Sequence, residues 1–280
     1  MADQTSADAV PSYLSPSSAS AFDGCPRRWK FKYVDRRPEP SGQPAIVGSF
    51  AHEVLEHLCG LPSIERTLDK AKELARAFWP NVEGDDDYQA LDLNDEDARA
   101  FRWQSWLAIA GLWDLEDPAD VEVVATEQKV TAVLAGVPFL GIIDRVDRIN
   151  GKLIVSDYKS GTLPGIRWRD DKMQQVLLYA AAIEQAEGEQ PDQARLLYLG
   201  QKILPVTVTD RKIEAAAEQL SETWVGINSA CESETFEAKT GVLCGWCPFV
   251  SECPEGHAEL VRRQAAGSLP SHAPARVLVA

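Results

Sequence analysis

Residues 138–159 read PFLGIIDRVDRINGKLIVSDYK, and the dipeptide Asn150-Gly151 near the middle decides how the rest is laid out. Asn-Gly supplies two left-handed residues for a type I′ turn, so the runs on either side of it form a hairpin. Those runs are Pro138–Ile149 and Lys152–Lys159, and a further β-rich run, Glu122–Leu134, ends at the turn Ala135-Gly136. Three strands in an antiparallel meander are expected. Two-residue alternation puts Leu153, Val155, Asp157 and Lys159 on one face of the third strand, so a carboxylate and an ammonium emerge side by side. Asp144 stands in the apolar run Gly141-Ile142-Ile143-Asp144, where an uncompensated charge is expensive and a bound cation would compensate it.

Working outward, periodicity predicts a helix over Asp171–Glu187, strands over Arg195–Gly200 and Ile203–Thr209, and a helix over Asp210–Asn228. Upstream, Ser15-Pro16 reads as an N-cap and first helical residue, with a break at Gly24-Cys25-Pro26 and a basic helical stretch to about Val34. Helical spacing continues over Gly48–Leu58, Ile64–Trp79 and Phe101–Trp113, with an acidic linker at Asn81–Asp97. The fold class is therefore α/β (α+β), a mixed sheet flanked by helices. The domain plan is a flexible start over 1–12, a mainly helical region over 13–115 holding Cys25 and His52, a core over 116–230, a cysteine region over 231–265 and a flexible tail over 266–280.

A chain of 280 residues with 45% hydrophobic content can bury a substantial core. Its start lacks a basic and apolar leader and no run is long enough to span a bilayer, which points to the cytoplasm and to no membrane partner. A formal net charge of -15 excludes a surface coated for nonspecific nucleic-acid binding but not a local basic groove. Arg27, Arg28, Lys30, Lys32, Arg36 and Arg37 interleave with Trp29, Phe31 and Tyr33. That segment is either a DNA contact, with Arg28 and Lys32 on phosphate, or a solvated basic face over buried aromatics. A zincin reading of His52-Glu53 fails because position 56 is Glu56, and no G-x-x-x-x-G-K-[ST] loop is present to drive a motor.

Two carboxylates on neighbouring strands suit a hard divalent cation, and a nearby ammonium suits water orientation or charge stabilisation. Taken in order, Gly48-Ser-Phe-Ala-His52, Gly141-Ile-Ile-Asp144-Arg-Val-Asp147, Asp157-Tyr-Lys159-Ser-Gly161 and Gln175-Val-Leu-Leu-Tyr179 resemble the successive motifs of RecB-type nucleases of the PD-(D/E)XK superfamily, from about Leu14 to Pro254. The resemblance implies a restriction-endonuclease-like core. It also implies Mg²⁺ or Mn²⁺ on His52, Asp144, Asp157 and the Tyr158 carbonyl, with Lys159 catalytic. Gln175 and Tyr179, one helical turn apart, would contact DNA or brace the lysine. Glu127, on the strand before Asp144, is either a further acidic catalytic group or a surface glutamate.

The implied activity is hydrolysis of DNA by an exonuclease acting on single-stranded ends in repair, recombination or replication, with any helicase a separate partner. An alternative from another class is a noncatalytic DNA-binding or assembly subunit, against which intact Asp144, Asp157 and Lys159 stand. The run Cys244-Gly-Trp-Cys247-Pro-Phe-Val-Ser-Glu-Cys253 has metal-ligand spacing, and its fourth ligand is either Cys25 or His257. Resemblance to the iron–sulfur subset of these nucleases, which includes AddB-like subunits and CRISPR-associated RecB-like exonucleases, implies a [4Fe–4S] cluster on Cys25, Cys244, Cys247 and Cys253. Zn²⁺ with His257 is the alternative. Cys59 and Cys231 read as ordinary buried thiols.

Overall fold

A computed structural model of the chain describes residues 10–279. The first nine residues of the expected flexible start, and residue 280 of the expected tail, lie outside the described residues. The helices are α1 (Pro16–Gly24), α2 (Pro26–Trp29), α3 (Gln43–Cys59), α4 (Leu68–Glu83), α5 (Asp86–Gln89), α6 (Asp95–Ala110), α7 (Arg169–Glu187), α8 (Asp210–Glu232) and α9 (Pro254–Ala265). The strands are β1 (Glu122–Leu134), β2 (Val137–Ile149), β3 (Lys152–Lys159), β4 (Gln193–Tyr198) and β5 (Lys202–Thr207), and they lie side by side in that order.

Contacts divide the chain into two compact units that do not follow sequence order: one is Ser41–Ala135 with Phe139–Glu218, the other gathers residues up to Pro40, Gly136–Pro138 and the chain from Gln219 onward. The helical region expected over 13–115 is therefore split. His52 belongs with the sheet and Cys25 with the later cysteines.

In the sheet unit, β2 and β3 pair antiparallel from Arg145↔Ser156 to Ile149↔Lys152. Asn150 at φ 53° and Gly151 at φ 77° make the left-handed turn that Asn-Gly demands. α7 then carries the chain across so that β4 pairs parallel with β3, and β5 returns antiparallel to β4. The sheet is thus mixed. The helices bury Val54, Leu55 and Leu58 of α3, Trp79 of α4 and Phe101 and Ile109 of α6 in one cluster with Tyr158 and Leu197 of the sheet.

The stretch expected as an acidic linker is mostly helical: Asp85 caps α5 and Asn94 caps α6 through side-chain oxygens on backbone amides. Asp86, Asp87 and Asp95–Asp97 then fall in first helical turns, where the dipole favours negative charge. At the edge of the sheet, Gln185 of α7 accepts from Val133 N at 2.6 Å and donates to Val133 O at 3.1 Å.

In the second unit Ser15 caps α1 by accepting from Ser18 N at 3.2 Å, and Pro26 opens α2 after the break. Trp29 is fully buried, stacked between Tyr33 and Phe236 and meeting Phe22 edge-on. That burial attaches the early segment to the end of the chain and explains why sequence order misled. The tail expected to be flexible over 266–280 instead packs where it is described: Leu269, Ala273 and Ala275 are buried in one cluster with Val250 and Leu260.

Candidate active site

The β2–β3 ladder ends at Arg145↔Ser156, and just past it the amide of Tyr158 donates to Asp144 Oδ2 at 2.6 Å. A carboxylate side chain thereby occupies the place where the two strands part. α3 delivers His52 to the same spot: its Nε2 lies 3.1 Å from the Tyr158 carbonyl oxygen and its Nδ1 3.4 Å from Asp144 Oδ1. One turn earlier, a Cβ on Gly48 would sit 2.9 Å from Ser160 Oγ. The helix can approach the chain leaving β3 because that residue has no side chain.

Glu127 completes the group. Its φ of 45° is a left-handed conformation inside a strand, a local irregularity that re-aims a side chain. His52, Glu127 and Asp144 each present a donor atom within 4.8 Å of the others. Glu127, which the sequence left open between a surface glutamate and an acidic group of the site, lies half-buried beside His52 and Asp144.

Asp157 is buried at 2% exposure. Its Oδ1 accepts from Gln175 Nε2 at 2.8 Å, while Oδ2 lies 2.6 Å from Lys159 Nζ in an ion pair off hydrogen-bond geometry. Lys159 Nζ donates to Gln175 Oε1 at 3.1 Å, and Gln175 Nε2 also donates to Tyr179 Oη at 2.9 Å. The two ends of one amide therefore hold the carboxylate and the lysine together. The Tyr179 ring lies close over β2 because residue 141 is glycine; a Cβ there would meet it at 2.7 Å.

Electrostatically this centre is unbalanced, with Glu127, Asp144 and Asp157 gathered around Lys159 and a titratable His52. Burial raises the Asp157 carboxyl to about 6, Asp144 adds to the rise, and Lys159 opposes it. Burial also raises Glu127, reinforced by Asp144 and Glu56. For His52 burial alone would lower the pKa, but Asp144 outweighs it and the imidazole is raised. A buried carboxyl, Asp157, and a half-buried one, Glu127, both held above their ordinary range beside Asp144, fit an additional cation. Carboxylate and carbonyl oxygens with a single imidazole suit a hard divalent ion.

The other face of the same strands differs. Arg145, Ser156 and Arg195 form a row across β2, β3 and β4. Arg145 Nε pairs with Asp147 Oδ1 at 2.7 Å and its Nη2 pairs with Glu116. Arg195 reaches Glu116 Oε2 at 2.8 Å and Asp147 Oδ2 at 2.9 Å, and donates to Ser156 Oγ at 2.8 Å. Sequence reading missed this network; Asp147 and Arg145 alternate with Asp144 in the same motif and were the available signal.

In the second unit, four carboxylates pair with five of the six cations of the basic segment. Arg28 and Lys32 both pair with Glu39, Lys30 with Asp35, Arg27 with Glu255 and Arg37 with Glu252. Arg28 and Lys32, read from sequence either as phosphate contacts or as a solvated basic face, thus share one carboxylate and stay exposed. The four expected ligand cysteines belong to this same unit. Cys247 lies within electrostatic reach of Cys25 and Cys244 and shares an apolar cluster with Cys253, Phe31 and Phe249. Each sulfur also faces a backbone amide: Lys239 N on Cys25 at 3.4 Å, Gly241 N on Cys244 at 3.5 Å, Gly256 N on Cys253 at 3.3 Å and the Phe249 amide on Cys247.

A mixed sheet whose strands part at two carboxylates, with a lysine two residues beyond the second, defines a nuclease-type centre. The family profile of the PD-(D/E)XK nuclease superfamily matches residues 13–254, and the chain belongs to that superfamily, whose nucleases use divalent metals. The Gene 69 protein of Mycobacterium phage D29 is 26% identical over 278 residues, covering 86% of this chain and 96% of the phage protein. A crystal structure from Eubacterium rectale, described as a candidate exonuclease, shares the fold with a TM-score of 0.52 and 16% identity, covering 85% of this chain and 89% of that one. Among the described residues no helix is long and apolar enough to cross a membrane.

Proposed function

We propose that the protein is a divalent-metal-dependent deoxyribonuclease that hydrolyses phosphodiester bonds from free single-stranded DNA ends, working in repair, recombination or replication beside a separate helicase. One observation carries this: Asp157 and Lys159 are locked together by Gln175 beside the His52, Glu127 and Asp144 donor group. Mg²⁺ or Mn²⁺ on His52, Asp144, Asp157, the Tyr158 carbonyl and Glu127 would acidify a water and offset phosphodiester charge. Lys159 is placed to stabilise the negative charge that develops on the phosphate during attack. Gln175 fixes the lysine, and Tyr179 fixes Gln175. The preference for ends takes its support from the description of the Eubacterium rectale neighbour.

The reading extends to a [4Fe–4S] cluster on Cys25, Cys244, Cys247 and Cys253, supported by their convergence within one unit and by amides directed at each sulfur. The test is anaerobic purification followed by assays on end-labelled linear and on circular single-stranded DNA with Mg²⁺ or Mn²⁺. Linear DNA should be degraded, circular DNA should resist, and chelator should stop the reaction. Equal cutting of circles replaces the exonuclease with an endonuclease. No cutting by folded protein with either metal returns the noncatalytic subunit. Iron and sulfide should be present and should fall in Cys25→Ala; zinc that survives Cys25→Ala but not His257→Ala assigns the site to zinc instead.

A further inference from the structure

Tyr158 is anchored at three points. Its amide donates to Asp144, its carbonyl oxygen faces His52 Nε2, and its phenol is buried on the other side of the sheet. There Arg145 Nη1 donates to Tyr158 Oη at 2.9 Å, and Cys59 Sγ lies 3.5 Å from the same oxygen and 3.6 Å from Arg145 Nη1. A guanidinium has only donors, so the phenol oxygen must accept from Arg145. Its own proton is then left for the Cys59 sulfur. Burial raises the phenol well above its ordinary range, which keeps that proton in place. Arg145 is itself immobilised by Asp147 and Glu116 and has no measurable exposure.

We propose that Tyr158 is a positioning residue: the Arg145–Tyr158–Cys59 contact holds the phenol so that the Tyr158 carbonyl faces His52 and Asp144 and is presented to the divalent cation. The inference rests on the metal reading above. Peptide groups are planar, so the carbonyl direction follows from how the residue is held, and a phenol pinned beneath the sheet removes its freedom to swing. Partners one step behind a metal ligand typically change affinity about 10- to 100-fold when removed. Cys59 is a buried thiol, as expected, and its sulfur completes the pin.

The experiment is Mn²⁺ titration of the full-length protein, followed by the loss of free-ion EPR signal, with thermal unfolding measured on the same samples. Tyr158→Phe should bind Mn²⁺ about tenfold more weakly than wild type. Ser156→Ala breaks contacts to Asp147 and Arg195 in the same network without touching the phenol. It should lose stability while keeping wild-type Mn²⁺ affinity. If Tyr158→Phe does not fold, Cys59→Ala serves in its place, with a smaller weakening in the same direction. Wild-type Mn²⁺ affinity in the folded tyrosine or cysteine variant overturns the inference, as does an equal loss in Ser156→Ala. Wild-type protein that binds no Mn²⁺ overturns the metal reading first and this inference with it.

Discussion

The two faces of β2 and β3 carry ionisable groups at alternate positions of the same short motifs, yet they obey opposite rules. On one face Asp144 and Asp157, with Glu127 and His52, outnumber Lys159, and a buried carboxyl is held at about 6. On the other, Arg145 and Arg195 meet Asp147 and Glu116 charge for charge, with Tyr158 and Ser156 accepting from the two guanidinium groups and Arg145 Nε facing Asp147 Oδ1 off hydrogen-bond geometry. The difference teaches that balance among buried charges marks architecture and surplus marks chemistry. Such a surplus is costly in a folded protein and is commoner where a cation or substrate is to be bound.

The sharpest break in this comparison is Asp157→Asn. Cleavage should fall on the order of a thousandfold or more, read as single-turnover rate on end-labelled DNA. Stability of the metal-free protein should move the other way. Because the folded carboxyl is raised from 3.8 to about 6, the folded state holds its proton more tightly than the unfolded one. Stability therefore declines as pH rises from 3.8 to about 6 and stays lower above that, and the asparagine variant escapes the decline. Lower stability of Asp157→Asn than of wild type at neutral pH would contradict this.

Asp147→Ala tests the balanced face. It leaves Arg145 and Arg195 facing Glu116 alone, and unfolding free energy should drop by about 3–5 kcal/mol, measured by denaturant titration. A loss under 1 kcal/mol would mean the network is hydrated or rearranges freely.

His52→Ala removes one donor of several, so Mn²⁺ affinity should weaken about tenfold with the fold retained, and the rate lost at low metal should return at high metal. Failure of excess metal to restore any rate would move His52 from cation holding to another step. The smallest effect belongs to the basic segment. Arg28→Ala with Lys32→Ala should leave the salt dependence of DNA binding unchanged, because both cations are already committed to Glu39. A slope shallower by about one per residue restores the phosphate contact.

The strands of the meander were legible because Asn150-Gly151 pins a turn and alternation does the rest, and the second carboxylate with its lysine followed from that register. α1 was legible from one cap and one proline. The same logic named Glu127 but left it open between two readings, because its left-handed backbone breaks the alternation that would have decided its face. Nor could it foresee that Glu39 would silence Arg28 and Lys32, since that pairing depends on how the chain turns after the π-helical stretch Lys30–Val34. Asp85 and Asn94 looked like linker because Asp and Asn side-chain oxygens favour both turns and helix starts. The tail misled because two alanines and a leucine are weak signals until a cluster exists to receive them.

The contact between Gln185 and Val133 bears on how the protein behaves at high concentration. β1 is long and lies at the sheet's edge, and an open edge is a template on which a second chain can add a strand. By taking up both the amide and the carbonyl of Val133, one side-chain amide removes a matched donor and acceptor from that template. The helix that ties Asp157 to Lys159 through Gln175 thus also discourages the sheet from growing into an aggregate.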